Sequence, residues 1–545
     1  MMNQNVEKTK NTNDWIIAIT NVCLCVLTIL FFSGIIKVNV KTFEMFCDTD
    51  MYLDTLVAKL MWEQKTLFPE NWIFGNQYYV VATPVLCAII YGFIGDLNLA
   101  MGIASSLMAV FVIISYMWMI WPFITKKTNG LVGVVALFAC LICAEPYKDY
   151  MSQLFFVMCS YYACYLTTAF LVWGQYIRIN EKIAQRRIES IMIIGICLFL
   201  SFCTGMQSIR QTIVMVLPLC MLEGVQCICR IIRKQKVCTW PFGFVIAITV
   251  VNICGIIFIK KLNIPQHVIY GELKLVDTVA DIKTNIHSIW LALRSLIGIG
   301  ETTSRWILGI HGIVCVVILI AILLVLVSIC KGKKHANGLS VLILLCACSF
   351  CVVIGGKLIS SMALRTVYLF IWYPLASLCI IYLFECCNGK WYRYGIVAFA
   401  LLSLKSYDVS YGYIDNAIVE QDAKFQESFH MVEWMEKNGY DVVYGGWDLA
   451  SDIAAASNGA VIATCWPYES KENIFAIAPW IVNTDTLKGQ SNENAVYIVR
   501  NENEEYLITK AKEMGVKIHR EKICTAYTVY TADELLVYAD EHILD

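Results

Sequence analysis

Charge is what this chain has least of. Only 16% of its 545 residues are Asp, Glu, Lys or Arg, against 58% hydrophobic, and its mean hydropathy is +0.63. That balance excludes a soluble enzyme with one anchor and points to an integral membrane protein with many spans. The net charge of −1 offers no basic surface for nucleic acid. There is no internal repeat and no low-complexity tract. His267, His287 and His430 stand alone, and Cys227 and Cys229 have no partners at metal-ligand spacing, so neither group marks a metal site. Cysteine, by contrast, is plentiful at 25 residues. Most lie inside apolar runs, as in Cys346/Cys348, where a thiol behaves as a small buried apolar group. Cys465 and Cys524 are the pair that an oxidising compartment would let bridge.

Apolar runs of spanning length can be placed at 15–36, 97–121, 130–144, 152–173, 189–204, 211–229, 240–259, 306–329, 338–356, 366–385 and 392–407. The first follows Lys8 and Lys10, is too long for a signal-peptide core, and reads as a retained anchor with the N-terminus cytoplasmic. Alternate connections are then rich in Lys and Arg, as the positive-inside rule requires. They hold Lys126/Lys127, Arg178/Lys182/Arg186/Arg187, Arg230/Arg233/Lys234/Lys236, Lys331/Lys333/Lys334 and Lys390/Arg393.

Counting Tyr78–Gly95 as a span would invert every one of these clusters. Pro84 and Gly92 also disfavour an unbroken helix there, so the segment is expected to be juxtamembrane or re-entrant within a first outer loop, 37–96. A second long outer loop, 260–305, holds an expected interfacial helix at Ile282–Leu296. The expected fold is a polytopic α-helical membrane protein of about eleven transmembrane helices, residues 1–407. A small extracytoplasmic α/β domain, 408–545, follows it. In that domain strands are expected at Asp441–Tyr444, Ala460–Thr464, Ala495–Val499 and Tyr527–Tyr530, with helices at Leu449–Ala456 and Glu504–Met514. It carries no Ser-His-Asp, phosphate-loop or metal signature. Trp447, Trp466 and Tyr468 are expected as core aromatics, the alternative being a stacking surface for a sugar.

The stretch Cys47-Asp-Thr-Asp-Met-Tyr-Leu-Asp54 crowds three carboxylates into seven positions, about ten residues beyond the first span. The plain reading is an N-cap cluster opening a helix. The functional one is a base at the membrane surface, acting on a polar acceptor while a lipid-borne substrate lies in the bilayer.

Residues 48–52, Asp-Thr-Asp-Met-Tyr, resemble the first-loop acidic motif of GT-C fold glycosyltransferases, the polyprenyl-phosphate-sugar-dependent enzymes that include protein mannosyltransferases and aminoarabinose transferases. The helix expected at Leu53–Trp62, the aromatic turn Phe68–Asn76, Tyr78-Tyr79 with Thr83-Pro84, and Gly95–Leu107 follow in the family's order. Two departures stand out: Asp48-Thr49-Asp50 replaces an adjacent Asp-Glu, and no Lys precedes Pro84.

The resemblance implies a membrane glycosyltransferase of the cell envelope, moving a sugar from a polyprenyl-phosphate donor to a glycan, lipid or protein acceptor on the outer face. It implies Asp48 as general base, since it stands four residues before Tyr52. Asp50 would orient it or help hold a divalent cation, Mg or Mn. Tyr52 would face substrate. A cation must meet the leaving phosphate, with Arg365 first, Arg210 second, and Lys357 and Lys148 behind. An ordinary snorkelling role is the alternative for Arg365. Glu145 and Asp149 would form a second acidic site, or simply a solvated loop. The rival classes are a transporter or flippase for lipid-linked saccharides and a polymerase or ligase. The first is disfavoured because Glu223 is almost the only charge well inside a span.

Overall fold

A bilayer core has no water to satisfy backbone amides, so segments that cross it must close their hydrogen bonds internally, as helices do. The computed structural model describes residues 2–46, 49–143, 162–183, 186–237, 239–266, 274–296, 305–330, 337–466, 469–478, 482–484 and 494–538. Asp48, Glu145, Lys148, Asp149, His267 and Tyr468 lie outside the described residues.

In chain order the main helices are α1 (Met2–Ile36), α2 (Thr49–Gln64), α3 (Thr83–Ile94), α4 (Leu97–Ile120), α5 (Lys127–Cys143), α6 (Ala163–Asn180), α7 (Arg187–Gln207) and α8 (Leu217–Ile232). They continue with α9 (Trp240–Lys261), α10 (Val279–Leu296), α11 (Arg305–Cys330), α12 (Asn337–Ile359), α13 (Trp372–Cys386), α14 (Gly389–Asn438), α15 (Trp447–Ala456) and α16 (Glu504–Glu513). Among the described residues seven helices are long and apolar enough to cross a membrane: Trp15–Lys41, Leu97–Phe123, Arg187–Gln207, Thr212–Ile232, Trp240–Lys261, Gly338–Ile359 and Thr366–Cys386. Each falls on an expected span. Helices α5, α11 and the start of α14 coincide with three more, at 130–144, 306–329 and 392–407, and α6 overlaps the second half of 152–173, of which 152–161 lie outside the described residues. The protein is a multi-pass membrane protein.

The chain divides into two compact units. One comprises residues 1–36, 107–258 and 272–414 and holds most of the spans. Its central helix is α13, buried along most of its length. The Ser377 hydroxyl donates to the Gly133 carbonyl (2.7 Å) and lies 2.6 Å from the Tyr116 hydroxyl. On α7 and α9 the backbones themselves touch. A Cβ on Gly205 would lie 2.2 Å from the Asn252 carbonyl oxygen, the close approach that small residues give membrane helices. The outer faces carry apolar residues three or four apart, such as Met221, Val225, Ile228 and Ile232 on α8 and Ile246, Val250, Ile253 and Ile257 on α9. In water so much exposed aliphatic surface would aggregate; against lipid it is the required outer surface. Glu223 is satisfied rather than poised: Tyr176 donates to it (2.6 Å) and Arg230 pairs with it at 2.6 Å.

The other unit comprises residues 37–106, 259–271 and 415–545. Its sheet has strand order β3-β2-β5-β7-β6, with β2 (Val442–Gly446) parallel to both β3 (Ile462–Trp466) and β5 (Ala495–Arg500). Strands β6 (Ile518–Ile523) and β7 (Tyr527–Ala532) complete it in antiparallel fashion. Period-two alternation splits the core into two faces. Val443, Val496 and Ile498 pack with α15 and with Met431 and Met435 of α14, while Val442, Tyr444, Tyr497 and Val499 pack with Leu507 and Ala511 of α16. All six elements expected in the C-terminal region are present; β6 was not anticipated.

The expected domain boundary after Tyr407 is crossed by α14, which runs unbroken to Asn438. Composition changes there, but no proline interrupts the helix. Segment 78–95 contains α3, whose 12 residues reach only about 18 Å, short of the roughly 30 Å of a hydrocarbon core. It ends on Gly95 in the left-handed region (φ 76°).

Within this unit the first loop and the C-terminal sheet are one structure. Strand β1 (Trp72–Ile73) pairs antiparallel with β4 (Val482–Asn483), and the Phe74 amide donates to the Pro265 carbonyl (3.0 Å). The end of α15 and the turn after it dock on α2 and on the start of α4. There the Tyr52 hydroxyl donates to the Ala454 carbonyl (2.6 Å), Lys59 to that of Gly459 (3.0 Å) and the Asn98 amide group to that of Ala455 (2.9 Å).

Asn458, itself at φ 53°, accepts the Leu97 and Asn98 amides at 3.0 and 2.9 Å, so the N-terminus of α4 is capped by a residue some 360 positions later. The cap needs Gly459 behind it: φ is 79°, and a Cβ would meet Leu97 at 2.8 Å. Asn458→Ala is expected to cost about 1–2 kcal/mol, read as a lower thermal midpoint of the purified protein in detergent; an unchanged midpoint would refute the capping role.

Candidate functional site

The acidic helix α2 begins at Thr49, with Asp50 in its first turn, where a carboxylate is favoured by the helix dipole. Asp54 lies one turn further on, and i,i+4 spacing sets both on one face. They differ in environment. Asp50 is half-buried, whereas Asp54 is 1% exposed and accepts a short hydrogen bond from the Tyr79 hydroxyl. Burial pushes the Tyr79 phenol well above its ordinary range, and the charges of Asp54 and Asp50 add to this. The phenol therefore stays a donor, holding one carboxylate while feeling the other.

Tyr79 is itself seated in a ring cluster built from the aromatic turn, with Phe68, Phe74 and Tyr78 at centroid separations of 5.3–6.1 Å. Glu44 adds a further acid to the same unit. Burial raises its carboxyl, and Asp96 raises it further.

Of the expected residues here, Asp50 stands where the helix opens. Tyr52 is corrected: its ring is wholly buried against the C-terminal core and its hydroxyl is spent on Ala454, so it docks the helix instead of facing substrate. The Asp54–Tyr79 pair was not singled out from the sequence. Its signals were the i,i+4 carboxylates and a Tyr-Tyr pair in an otherwise apolar run. Among the described residues no three His, Cys, Asp or Glu side chains gather as a metal site.

In the membrane unit the expected cations Arg365 and Arg210 converge on one aromatic group. The Arg210 guanidinium sits 5.3 Å from the Tyr368 ring centroid and 6.0 Å from that of Tyr162. The charges of Arg210 and Arg365 both act on the Tyr162 hydroxyl. Tyr162 stacks on Phe370 at 4.7 Å, and Gln207 donates to the Tyr165 hydroxyl at 3.3 Å. The result is one arginine, Arg210, held by aromatic faces beside phenol and amide groups, with the charge of Arg365 acting on the same phenol, an arrangement able to meet an anion. Arg365 is exposed, in the extended residue that caps the 3₁₀ turn Thr366–Leu369. Lys357 is buried near the end of α12.

Of the isolated histidines, His287 on α10 and His430 on α14 are exposed. Trp466 is buried in the core on one face of the sheet and the partly buried Trp447 packs against the core on the other. Cys465 and Cys524 are both free thiols.

The raised Tyr79 phenol has a pH consequence. Its contribution to stability is fully present below about pH 10, where the unfolded phenol begins to ionise, and is lost as pH climbs toward the higher folded value. Thermal unfolding between about pH 8 and 11 should show stability falling on the alkaline side. The fall should be shallower in Tyr79→Phe; identical slopes would contradict the buried pairing.

No protein-family model matches the sequence, and a search of curated proteins finds no match. Solved structures do match. The crystal structure of ArnT from Cupriavidus metallidurans in the apo state is 9% identical, with a TM-score of 0.50 over 95% of this chain and 98% of that one. The crystal structure of ArnT from the same organism bound to undecaprenyl phosphate is 10% identical, with a TM-score of 0.52 and the same coverage. At such identities the likeness is one of fold, and it runs through the membrane helices and the C-terminal sheet alike. The chain has the fold of ArnT.

Proposed function

We propose that this protein is a membrane glycosyltransferase that moves a sugar from a polyprenyl-phosphate donor to an acceptor on the outer face of the membrane. The observation that carries the reading is the shared fold with ArnT over nearly the whole length of both chains, one of the matched structures being bound to undecaprenyl phosphate. The acidic first-loop helix and the arginine–tyrosine cluster supply the two kinds of group that such a transfer needs.

In this reading the acceptor oxygen or nitrogen attacks the anomeric carbon. A first-loop carboxylate, Asp48 or its neighbour Asp50, takes the acceptor's proton. The bond from the anomeric carbon to the phosphate oxygen breaks, its electron pair stays on the phosphate, and the sugar is delivered with inversion. Asp54 is out of an acceptor's reach, being buried and already bonded to Tyr79; it holds the geometry of the helix face. Arg210 and Arg365 meet the charge that develops on the leaving phosphate, where a desolvated guanidinium is worth most. Lys357 remains the secondary cation, with Lys148, Glu145 and Asp149 as loop contributors. Asp48 and Asp50 would hold the divalent cation if the reaction uses one, and EDTA treatment tests that.

Transfer of radiolabelled sugar from a polyprenyl phosphate in membranes tests the assignment. Removing the true base should cost about 100- to 10,000-fold, so Asp48→Asn or Asp50→Asn should abolish measurable transfer. Arg210→Gln and Arg365→Gln should each lower it by about 100-fold or more. Full transfer in both aspartate variants would remove the base, and full transfer in both arginine variants would remove the anion site.

A further inference from the structure

Helix α6 has the arginine–tyrosine cluster at its beginning and a second arginine site at its end. Tyr162 immediately precedes the helix and Arg178 closes it. The sixteen intervening steps at about 1.5 Å each put them roughly 24 Å apart, close to the thickness of a hydrocarbon core. Arg178 is 5% exposed, unusual for a guanidinium. It lies face-on to Trp118 at 3.7 Å, donates to the Gly174 carbonyl at 3.0 Å, and donates to the Trp118 carbonyl. These acceptors account for two of five N–H donors. Glu189 acts on it electrostatically, but among the described residues no carboxylate makes an ion pair with it.

The guanidinium borders a cavity of about 530 Å³ shared with Trp118, Trp121, Ile183, Arg186 and Glu189. Its lining carries two positive charges against one negative. Lys126, Lys127, Lys182 and Arg187 lie in the adjoining turns of the chain, and Trp121 is 53% exposed, as aromatic residues are where hydrocarbon meets head groups. A buried cation with donors to spare, a cavity beside it and an aromatic rim together call for a polar anion attached to something apolar.

We propose that this cavity binds the phosphate of an anionic phospholipid in the leaflet at that end of α6, a site separate from the one that would carry chemistry. Arg178 takes the phosphate oxygens in its planar fork, Arg186 adds the second charge from the rim, and Trp121 lies beside the glycerol and upper acyl region. Basic pockets between membrane helices recognise acidic head groups in this way.

The test uses the full chain, delipidated in detergent, with retained lipid counted by native mass spectrometry against phosphatidylglycerol or phosphatidylcholine. The wild type should hold phosphatidylglycerol in preference to phosphatidylcholine. Arg186→Gln should weaken that retention about fivefold, and Glu189→Gln should strengthen it by a similar factor, each altering one exposed charge. Arg178→Gln should abolish it; should that variant fail to fold, the other two still decide. Equal retention in wild type, Arg186→Gln and Glu189→Gln overturns the site. Displacement of the lipid by excess inorganic phosphate overturns the lipid assignment in favour of a free anion.

Discussion

The hydrogen bonds that Asn458 accepts from Leu97 and Asn98 are the constraint on which the second unit depends. A helix start has amides with no partner of its own, and one buried without a cap is costly. Here the cap belongs to the turn behind α15, which also offers the Gly459 carbonyl to Lys59, while the last turn of α15 offers carbonyls to Tyr52 and Asn98. A short segment of the C-terminal domain therefore sets the position of the acidic helix and of the fourth helix together. The aromatic turn is fixed in the same manner through β1 and β4. Asp50 and Asp54 are displayed from a helix held on one side by Tyr79 and α3 of the first loop and on the other by α15 and the turn after it.

Much of this was legible in the sequence. Long apolar runs and the alternation of Lys/Arg clusters located the spans, because both signals are additive over about twenty residues. Period-two and helical patterns located six elements of the C-terminal domain. Pro84 and Gly92 were expected to interrupt segment 78–95, yet Pro84 opens α3 and Gly92 lies within it; the helix is simply too short to span. The pairing of β1 with β4 was not readable, since each strand is two residues long and its partner lies some 400 positions away. Nor was the role of Tyr52. A tyrosine beside two aspartates looks like a ligand contact until its burial is seen, and burial is a property of the partner surface, not of the motif. The continuity of α14 past residue 407 escaped for a similar reason: polarity changes along the helix while helical propensity does not.

The candidate site was partly legible. Arg210 and Arg365 were named for their place at the ends of apolar runs, and they do gather around Tyr162. What the sequence withheld was the aromatic bed of Tyr368, Phe370 and Tyr165, drawn from separate stretches of the chain. The buried partnership of Asp54 with Tyr79 also spans 25 residues and a turn. It changes the division of labour among the acids, because a buried carboxylate already holding the Tyr79 hydroxyl is closed to a substrate, whereas its half-exposed neighbour is not.

The trans cap on α4 also bears on how the protein is made. At about 5–20 residues per second, a ribosome needs on the order of half a minute between delivering Leu97 and delivering Asn458. Throughout that interval the first loop has left the ribosome but lacks the residues that complete it. Its aromatic turn and bare helix start must wait, exposed to quality control, for the last quarter of the polypeptide. A chain cut short in its C-terminal domain would leave the acidic helix without a seat, however well its membrane helices had inserted.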